Sequence, residues 1–358
     1  MTRPEKSGEA GAKGGGFVPS IQGLRGLAAL TVVCAHLYAM PMLAGFLPTL
    51  PLWVQRIFDT GGHGVELFFM ISGFLIPASL MRHGQVSKFM YDRCLRILPV
   101  FVVLHLVVFT MGPIVGYKFF KGIDVGTYVE LFLANLFFLP DALGLPIAQQ
   151  NAWTLSYEWA FYIWFAAVFL ARRGGSKLVI VLLALVAVAA VAYRPNVAFF
   201  GIGILCGMAS LRLPLRGAPG AIAAVACFVL MFGLLEYVSA WLALVPAIAL
   251  FAMALTPDSW FAGFARARSL QYVGKISYSL YLVHPFVLFP LQMIGRKLFD
   301  LGVNSWVLWG GFALVGVGLS LVASALSYEL IEVRLRTAID RLLTRREVVE
   351  REEAQQRA

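Results

Sequence analysis

Arg25 and His36 lie eleven residues apart in the apolar run 24–43. In a helix of 3.6 residues per turn and 1.5 Å rise, both side chains would lie on one face, about 16 Å apart along the axis. Histidine titrates near neutral pH and can take a proton from a reacting group, whereas a guanidinium binds anions. The pair therefore predicts an anionic ligand held at Arg25, with its reactive end at a buried base. The alternative is a histidine that ties two helices together by a hydrogen bond.

A second basic pair, Arg93 and Arg96, lies in the segment KFMYDRCLRILP. Residues three apart are neighbours on a helix surface, so the two guanidiniums would lie side by side. Such a pair can grip phosphates through its paired N–H donors. It is equally typical of a basic anchor for lipid headgroups, and the spacing favours neither role.

Two carboxylates lie within apolar runs, where an ionised group without a partner is unfavourable. Glu158, in the segment NAWTLSYEWAFY, must gain a proton or a partner, which makes it a functional candidate. Glu66 lies nearer the end of its run, and a structural role as the partner of a neighbouring donor is as plausible as a functional one.

Ser277, Tyr281 and His284 are spaced i, i+4, i+7 and form one polar stripe on an otherwise apolar helix. His284 precedes Pro285, whose missing N–H leaves a backbone carbonyl in need of another partner. The stripe is therefore interpreted first as polar packing and second as chemistry.

The elements that must position these residues are membrane helices. Of the 358 residues, 60% are hydrophobic and 13% are charged, and the mean hydropathy is +0.80. A soluble domain carries about 25% charged residues, and one this apolar would expose large aggregating patches. The composition therefore excludes a single water-soluble core. The four cysteines have no CxxC spacing and predict neither a disulfide nor a metal site.

Each membrane-spanning helix needs about 20 apolar residues. Ten runs come near this length, and they cover 24–43, 63–82, 97–116, 152–171, 176–193, 197–212, 218–235, 239–256, 275–294 and 305–328. The shorter stretch 127–140 ends at Pro140 and predicts a re-entrant or interfacial segment. The predicted fold is an all-α polytopic membrane protein with about ten transmembrane helices plus this segment.

The basic residues predict the orientation of the chain. With ten spans and a cytoplasmic N-terminus, 23 of the 29 Lys and Arg residues fall on the cytoplasmic side, as the positive-inside rule requires. Both termini are then cytoplasmic. The predicted organisation is a disordered tail at 1–20, a transmembrane domain at 21–330, and a charged cytoplasmic helix or tail at 331–358.

Five segments occur in the order found in the acyltransferase-3 family, and they read IQGLRGLAALTVVCAHL, GVELFFMISGFLI, RCLRILP, AWTLSYEWAFY and ISYSLYLVHP. The chain resembles this family over about residues 20–330, and it is most similar to the stand-alone branch that lacks a fused extracytoplasmic domain. The resemblance implies a ten-helix bacterial inner-membrane enzyme that takes an acyl group, usually acetyl, from acyl-coenzyme A. The implied acceptor is a hydroxyl of a cell-envelope or exported glycan; some relatives modify macrolides or other small molecules.

The resemblance also assigns roles to residues. It implies that His36 is catalytic and that Arg25, Arg93 and Arg96 bind coenzyme A phosphates at the cytoplasmic face. Glu158 is implied as a partner of the histidine or of the acceptor hydroxyl. No metal and no nucleic acid are expected, and no oligomeric state is predicted.

The implied chemistry is acyl transfer from a thioester to an alcohol. His36 takes the proton of the acceptor hydroxyl as it attacks, or carries the acyl group itself. Ser72, Tyr281, His284 and a free backbone N–H are candidates for contacting the substrate or the developing oxyanion.

Two readings from other classes remain open. A secondary transporter could use the buried His and Glu residues as a proton relay. The basic cluster in line with His36 and the lack of an inverted repeat argue against it. The second reading is a non-catalytic assembly subunit.

Overall fold

The computed structural model describes residues 17–344 of the chain, and their regular structure is helical, without a strand. The helices are α1 Pro19–Ala44, α2 Leu52–Thr60, α3 Gly64–His83, α4 Val86–Val115, α5 Val125–Leu136, α6 Pro140–Leu143, α7 Trp153–Arg173, α8 Lys177–Tyr193, α9 Ala198–Met208, α10 Gly217–Tyr237, α11 Ala240–Ala254, α12 Trp260–Ala265, α13 Arg268–Lys275, α14 Ser277–Asp300 and α15 Ser305–Ser327. A π-helical stretch, Tyr328–Leu335, follows α15 and passes into a helix over 336–344. Of the tails predicted at 1–20 and 331–358, residues 1–16 and 345–358 lie outside the described residues.

Seven helical stretches of residues 17–344 are long and apolar enough to cross a membrane, namely Pro19–Ala44, Leu52–His83, Val86–Val115, Gln150–Arg173, Gly217–Tyr237, Ser277–Asp300 and Ser305–Thr344. They confirm an all-α, multi-pass membrane protein. Three shorter apolar helices, Lys177–Tyr193, Pro195–Met208 and Ala240–Ala254, coincide with the three other predicted spans. The total of ten spans stays a prediction.

The predicted re-entrant or interfacial segment at 127–140 overlaps the helix α5, which begins two residues earlier, at Val125. Its 12 residues extend about 18 Å, which is less than the roughly 30 Å of a bilayer's hydrocarbon core. Its placement in the membrane stays a prediction.

Helix α1 lies inside the bundle, in contact with α3, α12, α13, α14 and α15. Glycines on α1 allow this close approach, as small residues do between membrane helices. A Cβ atom at Gly23 would lie 1.8 Å from the Ala265 carbonyl oxygen, and one at Gly26 would lie 2.5 Å from that of Leu270. These contacts fix the position and rotation of the helix that carries Arg25.

A second pair of glycines joins α3 to α9. A Cβ atom at Gly73 would lie 2.0 Å from the Phe200 carbonyl oxygen, and one at Gly203 would lie 2.0 Å from that of Met70. The two backbones therefore touch, and this contact with α9 helps to fix the position of α3.

The outward faces of the peripheral helices are apolar. Leu185, Val188, Val229 and Leu314 lie on α8, α10 and α15, and each of their side chains is more than half exposed. Contiguous apolar surface of this kind suits hydrocarbon rather than water as the surrounding solvent.

Candidate active site

Three arginines converge on one cavity of about 80 Å³ that is bounded by α1, α3, α4, α7 and α14. Arg25 reaches it from α1, and Arg93 and Arg96 reach it from α4. None of the three forms an ion pair within 4 Å with a carboxylate of the described residues. We call this space the arginine cavity. Guanidiniums gathered without a paired carboxylate create a strong preference for an anion.

Two donors in the arginine cavity have no hydrogen-bond partner among the described residues. They are the Nε–H of Arg93 and the Oγ–H of Ser277, and both atoms are buried. An unpaired buried donor costs about 1–3 kcal/mol, so such atoms indicate a missing ligand or water. The sequence singled out Ser277 only as part of the polar stripe.

Glu158 contributes the acidic side chain of the same cavity. Its Oε1 accepts a hydrogen bond from the Ser72 hydroxyl at 3.1 Å and a second one from the Tyr162 hydroxyl. The structure therefore brings Glu158 to the arginines and to Ser72. It forms no hydrogen bond with His36 in this structure.

His36 lies on α1, about three turns beyond Arg25 toward the C-terminal end of the helix. Its Nδ1 is 2.9 Å from the Val32 carbonyl oxygen, which can only accept, so Nδ1 carries the proton. The neutral ring then presents a lone pair on Nε2, which forms no hydrogen bond with the described residues. An imidazole in this tautomer can accept a proton at Nε2.

The ring of His284 packs edge-on against that of His36, with 4.9 Å between the centroids and 80° between the planes. His284 is fully buried, and its Nδ1 donates to the Leu280 carbonyl at 2.7 Å. Its Nε2 lies 3.4 Å from the side-chain nitrogen of Asn151, which can only donate. Both nitrogens of His284 are thus engaged, and the ring serves as a wall for His36.

The Asn151 side chain also donates to the Tyr281 carbonyl at 2.8 Å. This carbonyl is the one that Pro285, four residues later, leaves without a helical partner. The prediction that a carbonyl freed by Pro285 needs a partner is confirmed. The sequence signalled the vacancy but not Asn151, because 130 residues separate it from Tyr281.

Tyr281 lines the arginine cavity, one turn below His284 on α14. Its hydroxyl lies 3.2 Å from the Thr154 hydroxyl, and its ring packs on Phe68. The three members of the predicted polar stripe therefore share one side of α14, with Ser277 and Tyr281 in the cavity and His284 beyond it.

Two further carboxylates have partners that suit a structural role. Glu66 is buried and accepts a hydrogen bond from the Asn196 side chain, and its Oε1 lies 3.4 Å from Nδ1 of His63. Glu332, in the π-helical stretch, accepts hydrogen bonds from the backbone N–H and the hydroxyl of Ser279 at 3.1 and 2.5 Å. The sequence missed Glu332 because it lies in the predicted charged tail.

A sequence model for a family described as an acyltransferase domain, of the acyltransferase-3 type, matches residues 18–325. The chain is 29% identical over 180 residues to peptidoglycan O-acetyltransferase OatA of Listeria monocytogenes, an alignment that covers 46% of this chain and 26% of that protein. It is 28% identical over 154 residues to acyltransferase MdmB of Streptomyces mycarofaciens, covering 41% of this chain and 38% of that protein.

The chain therefore spans well under half the length of these two relatives, 26% and 38%. No solved structure matches it.

Proposed function

The chain belongs to the acyltransferase-3 family of acyltransferase domains, as its ordered motifs predicted, and we propose that it transfers an acyl group from acyl-coenzyme A to a hydroxyl group within the membrane. One observation carries the proposal. The helix that presents the free Nε2 of His36 also carries Arg25, which lines a cavity of three arginines without paired carboxylates.

The donor is expected to bind with its phosphates at the arginine cavity. Coenzyme A is a polyanion whose thioester lies at the end of a long flexible arm. Arg25 and His36 are eleven residues apart on α1, which corresponds to about 16 Å along the axis. The phosphates can therefore rest on the guanidiniums while the thioester extends toward His36. Acetyl is the proposed acyl group, in line with the name of the Listeria relative.

In the proposed reaction, Nε2 of His36 takes the proton of the acceptor hydroxyl while the hydroxyl oxygen attacks the carbonyl carbon of the thioester. The tetrahedral intermediate collapses, the C–S bond breaks, and the thiolate recovers the proton from His36. Tyr281 is the proposed donor to the oxyanion, because it lines the cavity next to the histidine pair. Ser72 already donates to Glu158, and Glu158 offsets part of the arginines' charge.

The proposed acceptor is a hydroxyl of a cell-envelope or exported glycan, since one relative is named for peptidoglycan O-acetylation. The proposed location is the bacterial cytoplasmic membrane, with both termini and the arginine cavity on the cytoplasmic side, where coenzyme A occurs. Mass spectrometry of envelope glycans from cells with and without the protein tests the acceptor class. A macrolide or other small molecule is the alternative, and unchanged glycans would favour it.

The reaction is tested with purified protein in lipid nanodiscs and radiolabelled acetyl-coenzyme A. His36→Ala is expected to lower coenzyme A release and product formation by about 10²- to 10⁴-fold, the usual contribution of a positioned base. His63→Ala is the matched control, because His63 is bonded to Glu236 outside the arginine cavity. Turnover retained in a folded His36→Ala protein would contradict the proposal. Proton flux in liposomes without acyl transfer would favour a transporter, and neither signal would favour an assembly subunit.

A further inference from the structure

A second cavity, of about 360 Å³, lies on the other side of the histidine pair from the arginine cavity. Helix α1 passes both: Arg25 lines the first, Met40 lines the second, and His36 lies between them. Helix α14 has the same order. Tyr281 lines the first cavity, Phe286 lines the second, and His284 lies between them.

Two more elements contribute to both cavities in the same order. Helix α4 lines the first cavity with Arg96 and the second with Val108. Around the start of α7, Thr154 lines the first cavity, Gln149 lines the second, and Asn151 lies between them. The cavities therefore lie in series along one axis, and the layer of His36, His284 and Asn151 separates them.

Among the described residues, the walls of the second cavity have no charged residue, and besides two glutamines they are apolar or aromatic. Its lining includes Val107 and Met111 of α4 and Met293 of α14. Each of these three side chains is more than a third exposed on the surface of the protein. Both helices are candidate membrane spans. The cavity thus opens sideways toward hydrocarbon, and we call it the lateral groove.

One residue that lines the lateral groove has a polar atom without a partner. The side-chain oxygen of Gln149 is buried and accepts no hydrogen bond from the described residues, while its Nε2 donates to the Phe101 carbonyl at 3.1 Å. Gln149 as a whole is 5% exposed. An orphaned buried acceptor indicates a missing ligand or water, and a ligand that satisfies it must bring a hydroxyl or amide N–H to this point. Annular lipid tails carry no such donor.

We propose that the lateral groove is the acceptor site and that the acceptor is an alcohol carried on a hydrocarbon chain, which enters from the bilayer. The chain lies along Met111 and Met293, the reacting hydroxyl reaches Nε2 of His36, and a second polar group donates to Gln149. A sugar dissolved in water does not fit, because the apolar walls would leave its hydroxyls without partners. The inference rests on the proposed function and narrows its acceptor to a lipid-linked molecule.

The binding step is tested without catalysis, using a photoreactive hexadecanol with the nanodisc-embedded protein. A groove of equal volume between α7, α8 and α9, lined by Val186, is the internal control. Labelling at Met111 and Met293 is expected to exceed labelling at Val186 by at least about tenfold, because the hexadecanol hydroxyl gains a hydrogen bond at Nε2 of His36, which contributes about 1.4 kcal/mol. Unlabelled hexadecanol is expected to compete at the lateral groove alone. Equal labelling of both grooves would identify ordinary lipid contact and overturn the proposal.

A matched pair of variants makes the test specific. Val107→Trp fills the lateral groove and Val186→Trp fills the control groove, and both valines face outward, so neither change disturbs the core. Selective labelling is expected to disappear in Val107→Trp and to persist in Val186→Trp. Met293→Trp fills the lateral groove from its opposite wall and is expected to match Val107→Trp.

The acceptor role is tested with alkyl glucosides of increasing chain length and with free glucose. The kcat/KM for acyl transfer is expected to rise by up to about fourfold per methylene, which corresponds to ~0.8 kcal/mol. Partitioning into the bilayer also rises with chain length, but only Val107→Trp, and not Val186→Trp, is expected to flatten the slope. Equal use of glucose and the longest glucoside, or an unchanged slope in Val107→Trp, would overturn the proposal. Selective labelling without transfer to any alcohol would instead refute the proposed function.

Discussion

At the scale of single residues, backbone carbonyls set the protonation of the histidine pair. Val32 accepts from Nδ1 of His36 and Leu280 accepts from Nδ1 of His284, so both rings hold their proton on the same nitrogen. Their difference lies at Nε2, which meets Asn151 in His284 and is unbonded in His36. The His36 imidazole is therefore free to accept a proton, and the His284 imidazole packs against the His36 ring and holds that ring in place.

Asn151 is expected to act by positioning. Asn151→Ala leaves the Tyr281 carbonyl and the His284 ring without their donor, so it should lower the unfolding free energy by about 1–3 kcal/mol. It should also lower kcat while leaving KM for the acyl donor unchanged, because the arginine cavity is not altered. Asn196→Ala, which removes a hydrogen bond to Glu66, is the control and should lower stability without lowering kcat. Thermal unfolding and steady-state kinetics measure both effects, and an unchanged kcat in Asn151→Ala would refute the role.

Arg96 is expected to act in donor binding. Arg96→Gln should raise KM for acyl-coenzyme A roughly 10- to 100-fold, since a hydrogen bond to a charged group contributes about 1.5–3 kcal/mol. The value of kcat should change little. Arg212→Gln is the control, because Arg212 is exposed and its one hydrogen bond within residues 17–344 goes to the neighbouring Leu211 carbonyl. A KM that responds equally to both changes would indicate a general charge effect instead of a phosphate site.

At the scale of elements, hydropathy located the helices well where a helix is apolar along its whole length. The predicted spans 63–82 and 239–256 agree closely with Gly64–His83 and Ala240–Ala254. Hydropathy failed where part of a helix carries polar residues that line the arginine cavity. The predicted span 97–116 begins eleven residues after the start of α4 at Val86, because the first turns carry the two arginines.

The short helices and the partners within the site were beyond the sequence for a different reason. Helices α2, α12 and α13 have 9, 6 and 8 residues, too few for an apolar period to be recognised. The contacts of Asn151 and Glu332 join elements 130 and 53 residues apart, and no local pattern encodes such pairings. Spacing predicts candidate residues for the chemistry, but it does not predict the partners that hold them in position.

The contact between α3 and α9 makes a sharp prediction at this scale. Gly203→Ala would place a methyl group 2.0 Å from the Met70 carbonyl oxygen and should destabilise the protein by about 1–3 kcal/mol or more, through forced separation of the helices. Gly201→Ala, two residues away on the same helix, meets nothing within 4 Å. It should be neutral or stabilising by up to about 1 kcal/mol, because alanine favours the helix. Thermal unfolding in detergent compares them, and equal midpoints would contradict the close contact.

At the scale of the whole molecule, the number of spans determines on which side each loop lies. With ten spans and a cytoplasmic N-terminus, the loop after α14 is extracytoplasmic; with the seven longest stretches alone it is cytoplasmic. Leu301 lies in this loop and is 80% exposed.

Leu301→Cys, in a variant without the four native cysteines, is therefore expected to react with an impermeant maleimide in intact cells. Arg212→Cys is the control and should react only after the membrane is permeabilised. Protection of Leu301→Cys in intact cells would reject the ten-span arrangement.

The layer of His36, His284 and Asn151 has an energetic consequence for a reaction that runs across a membrane. In the proposed reaction the acyl group crosses this layer in one direction, and the proton of the acceptor hydroxyl crosses it in the other and ends on the thiol of coenzyme A. The two transfers together move no net charge. The enzyme would then acylate a molecule beyond the membrane without drawing on the transmembrane voltage, and the free energy of the thioester alone would drive export of the acyl group.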